Sequence, residues 1–173
     1  MDLPVTRRPD YSGNGLVNVM SAIENRFDGK NPYAPHPAVF PGGMEAPKNV
    51  VLIAIDGLGF NFFHQHLKQS GLGKHLAGSI TSVFPSTTAA AMTTIYSGLA
   101  PINHGLLAWF TYFKELGTIG IVPPLLVRAD KTPLVKGTVD PAALLGFQPL
   151  FDKIRAHGYM LSPAEYVKKC TTW

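Results

Sequence analysis

Asp56 and Thr88 are the residues whose type and setting offer chemistry. Asp56 directly follows the apolar run Asn49-Val-Val-Leu-Ile-Ala-Ile55, and Thr88 closes the turn Pro85-Ser86-Thr87-Thr88. A carboxylate is a hard oxygen ligand for a divalent cation. A hydroxyl is a poor nucleophile until a metal or a base lowers its pKa. At the start of a helix, free N–H groups and the helix dipole favour an incoming phosphate. Together the pair describes attack by Thr88 on phosphorus while Asp56 holds the ion that stabilises the alkoxide. Residue types alone leave a plainer reading open. Asp before Gly is a common turn residue, and Ser86, Thr87 and Thr88 are all good helix N-caps.

The elements that must position the pair are written in the same pattern. Residues 49–55 form a continuous β-branched run, as expected of a strand buried on both faces. A turn follows at Asp56-Gly-Leu-Gly59, then a helix over 60–69 ending near Gly71. Ser79 to Phe84 reads as a second strand stopped by Pro85, and Thr88 to Ser97 as a helix with Gly98 just past its end. Strand, helix, strand, helix is the order of a parallel α/β sheet, in which ligands bind beyond the carboxyl ends of the strands. Asp56 and the 85–88 turn both fall there.

The flanks are less distinct. Leu16, Val19, Met20, Ile23 and Phe27 follow helical spacing, with Asn14 as a cap and Gly29 as a stop. Residues 1–13 read as an arm, and 30–48, with five prolines, as a surface connection. Downstream, 106–113 and 118–122 read as strands, Asp140-Pro141 as the start of a short helix, and 149–157 as an amphipathic helix closed by Gly158. The division expected is 1–48 for arm, helix and Pro-rich connection, and 49–173 for the α/β portion.

Three pieces taken in order carry a resemblance. They are Asn49-Val-Val-Leu-Ile-Ala-Ile-Asp-Gly-Leu-Gly59, Phe84-Pro-Ser-Thr-Thr88 and Ser97-Gly-Leu-Ala-Pro-Ile-Asn-His-Gly105. The set resembles the alkaline phosphatase superfamily, in its type I phosphodiesterase/nucleotide pyrophosphatase branch. The resemblance implies a parallel-sheet α/β/α sandwich, incomplete here, and a metal-dependent phosphoric ester hydrolase acting through a phosphothreonine. It implies that Asp56 is a zinc ligand and that Thr88 is both the nucleophile and a ligand of the same ion. Two zinc ions and a small phosphoester or nucleotide substrate are implied with them. His104 fits a loop-fixing residue better than a ligand. Trp109 stands where many of these pyrophosphatases have Asn, and is read as a core residue. A phosphomonoesterase or phosphonate hydrolase of the same superfamily, and a non-catalytic domain that binds a metal or partner, are the alternatives.

The superfamily's remaining ligands are an Asp with a His four residues on, an Asp-His pair and a last His. None of the seven aspartates here is followed by His at either spacing; Asp152 and His157 lie five apart. Two readings follow, a truncated N-terminal portion, which is the one expected, or a complete protein with a degenerate site; on either, the chain should have no turnover of its own.

Composition bounds the rest. At 46% hydrophobic and 15% charged, the chain is not of disordered type. A single cysteine, Cys170, excludes an intrachain disulfide and favours a reducing, cytoplasmic setting. No apolar run reaches membrane-spanning length, and the 1–15 stretch lacks the apolar segment of a signal peptide. The net charge of +4 is spread along the chain, so no nucleic-acid polymer is expected as a partner. His64 and His66, two apart on a helix, are read as surface residues. Phe60, Phe62 and Phe63 are read as core, and Lys153, Arg155, Lys168 and Lys169 as a solvated face.

Overall fold

The computed structural model describes residues 7–41, 47–122, 125–134 and 141–161. The helices among them are α1 (Leu16–Arg26), α2 (Phe60–His66), α3 (Thr88–Ser97), α4 (Pro101–His104), α5 (Pro141–Leu145) and α6 (Leu150–Lys153). The strands are β1 (Phe110–Phe113), β2 (Thr118–Ile121) and β3 (Leu126–Val127), which pair antiparallel in the order β1-β2-β3. Phe110 pairs with Ile121 and Phe113 with Thr118, so a tight turn at 114–117 sets the register.

The centre of the molecule is α3 against α1. Val17 of α1, Ala90 of α3, Val83 and Ala100 form one buried cluster; Met20, Ile23 and Leu150 form a second. Alanine at 89, 90 and 91 supports the helix and lets α1 approach closely. Two of the buried hydroxyls on α3 return to their own helix, Thr93 Oγ1 donating to Ala89 O (2.8 Å) and Ser97 Oγ to Thr93 O (2.7 Å), while Thr94 Oγ1 meets His104 Nε2 (3.3 Å). Gly98 ends α3 in the left-handed region, at φ 68°. A Cβ there would also sit 2.7 Å from Glu24 Oε2, so glycine is required twice over.

The N-cap of α1 is Gly15 rather than Asn14. Asn18 Oδ1 accepts from Gly15 N (2.9 Å), and a Cβ at Gly15 would lie 2.1 Å from Asp10 O. Its buried face carries a polar stripe, Asn18, Ser21 and Glu24, all fully buried. That stripe ties down the connection that follows. Asn18 Nδ2 donates to Ala34 O (2.8 Å), Ser21 Oγ to Tyr33 O (2.6 Å), and Asn31 Nδ2 to Glu24 Oε2 (2.7 Å). Residues 7–13, read from sequence as an arm, are also held. Asp10 N donates to Thr81 Oγ1 (2.8 Å), and the Tyr11 hydroxyl accepts from Phe84 N (3.0 Å).

The expected parallel sheet is not formed by the described residues. Residues 49–55 carry no strand, and Val51 and Ile53 are 82% and 76% exposed. Over 79–84 the pairing reduces to one parallel bridge, Thr81 to Gly15. The physical reason is that an apolar strand buried on both faces needs a neighbour on each edge and a layer on each face. None of the described residues supplies them. The sheet that does form, β1-β2-β3, is a local meander that packs on its own cluster around Leu106, Phe113, Val122, Leu134 and Phe147.

Other expectations shift in the same way. The helix expected over 149–157 spans Leu150–Lys153 only, and α2 buries none of its residues, so Phe60 and Phe62 are exposed rather than core. Lys168, Lys169 and Cys170 lie outside the described residues. No helix among the described residues is long and apolar enough to cross a membrane.

Candidate functional site

Thr88 is the first residue of α3, and the turn before it contains a cis Phe84–Pro85 peptide. The three hydroxyls of this turn are not equivalent. Thr87 is the N-cap: its Oγ1 accepts from Ala90 N (3.3 Å) and donates to Leu107 O (3.3 Å). That hydroxyl is committed to structure. Ser86 and Thr88 are exposed, and neither side chain is hydrogen-bonded to another described residue. Of the two, Thr88 sits within the helix's first turn. There the N–H groups of Thr88 and Ala89 have no intrahelical acceptor and the dipole is positive.

Asp56 lies in the turn after 49–55, exposed, and no hydrogen bond or ion pair joins it to Thr88 or to any other described residue. The two expected site residues are thus each available but not linked. Among the described residues no group of three His, Cys, Asp or Glu side chains stands together. Asp56 and Thr88 offer two oxygen ligands, so the described residues do not make up a two-metal centre.

His104 has the loop-fixing geometry expected of it. It is 3% exposed at the end of α4. Its Nδ1 accepts from Leu106 N (3.1 Å), which places the proton on Nε2, 3.3 Å from Thr94 Oγ1 of α3. The ring edge meets Phe147 at a centroid distance of 6.1 Å. Both ring nitrogens are engaged, and burial pushes the imidazole pKa down from 6.5 to about 4. The folded value is lower than the unfolded one. The neutral ring's contribution to stability is therefore whole above pH 6.5 and is lost as pH falls toward 4. Urea midpoints should drop between pH 7 and pH 4.5 by an amount equivalent to ~2 kcal/mol. A His104→Gln variant should flatten that dependence, and an equally steep profile in the variant would contradict it.

Two further residues, Trp109 and Lys153, differ from their sequence reading. Trp109 is 39% exposed rather than core. His64 and His66 are exposed as expected, each ring tilted against that of a phenylalanine one turn earlier, Phe60 and Phe62. Lys153 is not on a solvated face: its Nζ is 2.8 Å from Oε2 of the fully buried Glu24. That pair spans 129 residues, and no spacing rule along the chain points to it.

The match to known families is decided by the region containing both candidate residues. Residues 50–159, more than half of the chain, match the family described as type I phosphodiesterase / nucleotide pyrophosphatase. The chain belongs to this family. The family has the alkaline phosphatase-like fold, is generally metal-dependent, and acts on small phosphoester or nucleotide substrates. No curated protein and no solved structure gives a significant match. Within the type I phosphodiesterase family match lie Asp56, Thr88 and His104; α1 with its Glu24 precedes it.

Proposed function

We propose that this chain carries the nucleophile and one metal ligand of a phosphodiester or nucleotide pyrophosphate hydrolase. Thr88 is the nucleophile, and Asp56 is a ligand of a divalent ion, zinc by family habit. The observation that carries the reading is the division of labour at the head of α3. Thr87 does the capping, which leaves the adjacent Thr88 hydroxyl exposed beside unpaired N–H groups.

The chemistry assigned to these residues is a double displacement. Thr88 Oγ1 bonds to phosphorus, the bond from phosphorus to the leaving oxygen breaks, and the hydroxyl proton ends on the departing alcohol or phosphate. The covalent intermediate is a threonyl phosphodiester that still carries the substrate's second substituent; water then attacks its phosphorus, the bond to Thr88 Oγ1 breaks, and the monoester is released as the hydroxyl is restored. The N–H groups of Thr88 and Ala89 and the positive end of α3 favour the phosphoryl oxygens as charge builds on them.

The parallel α/β/α sandwich belongs to the same proposal. In it, 49–55 and 79–84 become neighbouring strands once the distal part of the domain is present, and Asp56 then meets Thr88. The missing ligands, an Asp-x-x-x-His, an Asp-His and a final His, would come from that part. We place the protein in the cytoplasm on the single cysteine.

It follows that the 173-residue chain alone should not turn over substrate. In a zinc-supplemented assay with bis(p-nitrophenyl) phosphate, its rate should equal that of Thr88→Ala. A wild-type rate clearly above the variant would show that the site is already complete.

A further inference from the structure

Helix α3, which begins with Thr88, is held at both ends by a part of the chain that precedes the family match. At its far end, Asn31 Nδ2 donates to the carbonyl of Gly98 (2.9 Å), the residue that closes the helix. Along its side, Val17 of α1 packs with Ala90. Ahead of its near end, residues 10–16 grip Thr81. Asp10 N donates to Thr81 Oγ1 (2.8 Å), Thr81 N to Asn14 O (3.0 Å) and Leu16 N to Thr81 O (3.0 Å). Closest to the turn stands Tyr11, whose hydroxyl accepts from Phe84 N (3.0 Å).

That last bond bears directly on Thr88. Pro85 has no N–H, so the Phe84 amide is the last backbone donor ahead of the turn. Inside the turn, Thr87 N donates to Pro85 O (2.9 Å). Among the described residues, two hydrogen bonds tie 84–88 to other segments, Phe84 N to Tyr11 Oη and Thr87 Oγ1 to Leu107 O, and the Tyr11 bond is the shorter. Tyr11 is fixed from behind. Its carbonyl accepts from Nδ2 of the fully buried Asn18 (3.1 Å). Its ring packs on the cluster of Val17, Val83 and Ala90 and meets Tyr33 edge-on at a centroid distance of 6.3 Å. The buried polar stripe of α1 thus reaches the turn through one preorganised hydroxyl.

We propose that Tyr11 is a positioning residue for the nucleophile turn: its hydroxyl holds the Phe84 amide, and through it the placement of Thr88 against phosphorus. The inference rests on the reading of Thr88 as nucleophile. Tyr11 touches no reacting atom in this account; it limits how far the turn can shift, and a displacement of about 1 Å can cost about two orders of magnitude in rate. The role leaves 49–55 free for the sheet and Asp56 free for the metal.

Tyr11→Phe keeps the ring and removes only the acceptor. In the polypeptide that carries residues 1–173 and the distal ligands, it should lower kcat for bis(p-nitrophenyl) phosphate about tenfold and leave KM unchanged. Ser21→Ala removes another bond of the same segment, Ser21 Oγ to Tyr33 O (2.6 Å), which does not reach the turn. It should lower the melting temperature and leave kcat at the wild-type value. In the 173-residue chain, the Phe84 amide of Tyr11→Phe should exchange with deuterium about tenfold faster, while the α1 amides keep their wild-type rates. The proposal is overturned by a wild-type kcat in Tyr11→Phe, by an equal loss of kcat in Ser21→Ala, or by unchanged exchange at Phe84. Thr88→Ala, assayed alongside, separates the two failures. An inactive Thr88→Ala beside a fully active Tyr11→Phe removes the positioning role alone, whereas a fully active Thr88→Ala removes the nucleophile reading and the positioning role with it.

Discussion

Lys153→Ala should lower the melting temperature by roughly 6–12 °C, the equivalent of about 3 kcal/mol in a chain of this size. The reason is Glu24. Its carboxylate is fully buried, and Oε2 receives Lys153 Nζ at 2.8 Å and Asn31 Nδ2 at 2.7 Å. Oε1 has no partner among the described residues. Removing the lysine leaves a buried anion held by one amide, and the loss of a partner from a buried pair costs far more than the pair itself contributes. Glu24→Gln removes the charge instead. Asn31 and Lys153 then face a neutral amide, and the lysine, which is partly exposed, can turn to water. Glu24→Gln should therefore cost less than Lys153→Ala. Thermal unfolding by circular dichroism checks both. A Lys153→Ala shift under 2 °C, or the reverse ranking, would show that the pair does not hold α6 to α1.

Thr88→Ala should reduce phosphodiester hydrolysis by at least about 10³-fold in a polypeptide that carries the distal ligands, because the covalent route is lost while binding remains. Thr87→Ala should act differently. It removes an N-cap, which costs about 1 kcal/mol of stability, and it should leave much of the rate. The two neighbours thus separate on two axes, rate for Thr88 and stability for Thr87. If Thr87→Ala were the inactive variant and Thr88→Ala retained its rate, the assignment of roles within the turn would be reversed.

What the sequence made legible follows from how local each cause is. α3 was readable from end to end because its cap, its alanines and its terminating glycine lie within the helix or beside it. The existence of α1 was readable from apolar spacing, but its buried face was not. Asn18, Ser21 and Glu24 look like a solvent face until residues 31–34 come back to bond them. Lys153 was misread for the same reason, since its partner is 129 residues away. The strand expected at 49–55 fails on a different count. Its apolar character was read correctly, but a strand is a relation between segments, and the described residues offer this one no neighbour. Asp56 and Thr88 were singled out by type, position and resemblance together, and their proposed convergence depends on a pairing that the described residues do not make.

The central claim is that the Thr88 oxygen becomes covalently bound to phosphorus. It is tested most directly by acid-quenching a turning-over polypeptide that contains residues 1–173 together with the distal ligands, and mapping the covalent adduct by peptide mass spectrometry. The prediction is a single adduct at Thr88, phosphorus with the substrate's retained substituent, absent from Thr88→Ala and absent without divalent metal. The adduct on Ser86, Thr87 or any other residue, or undiminished turnover by Thr88→Ala, would contradict it.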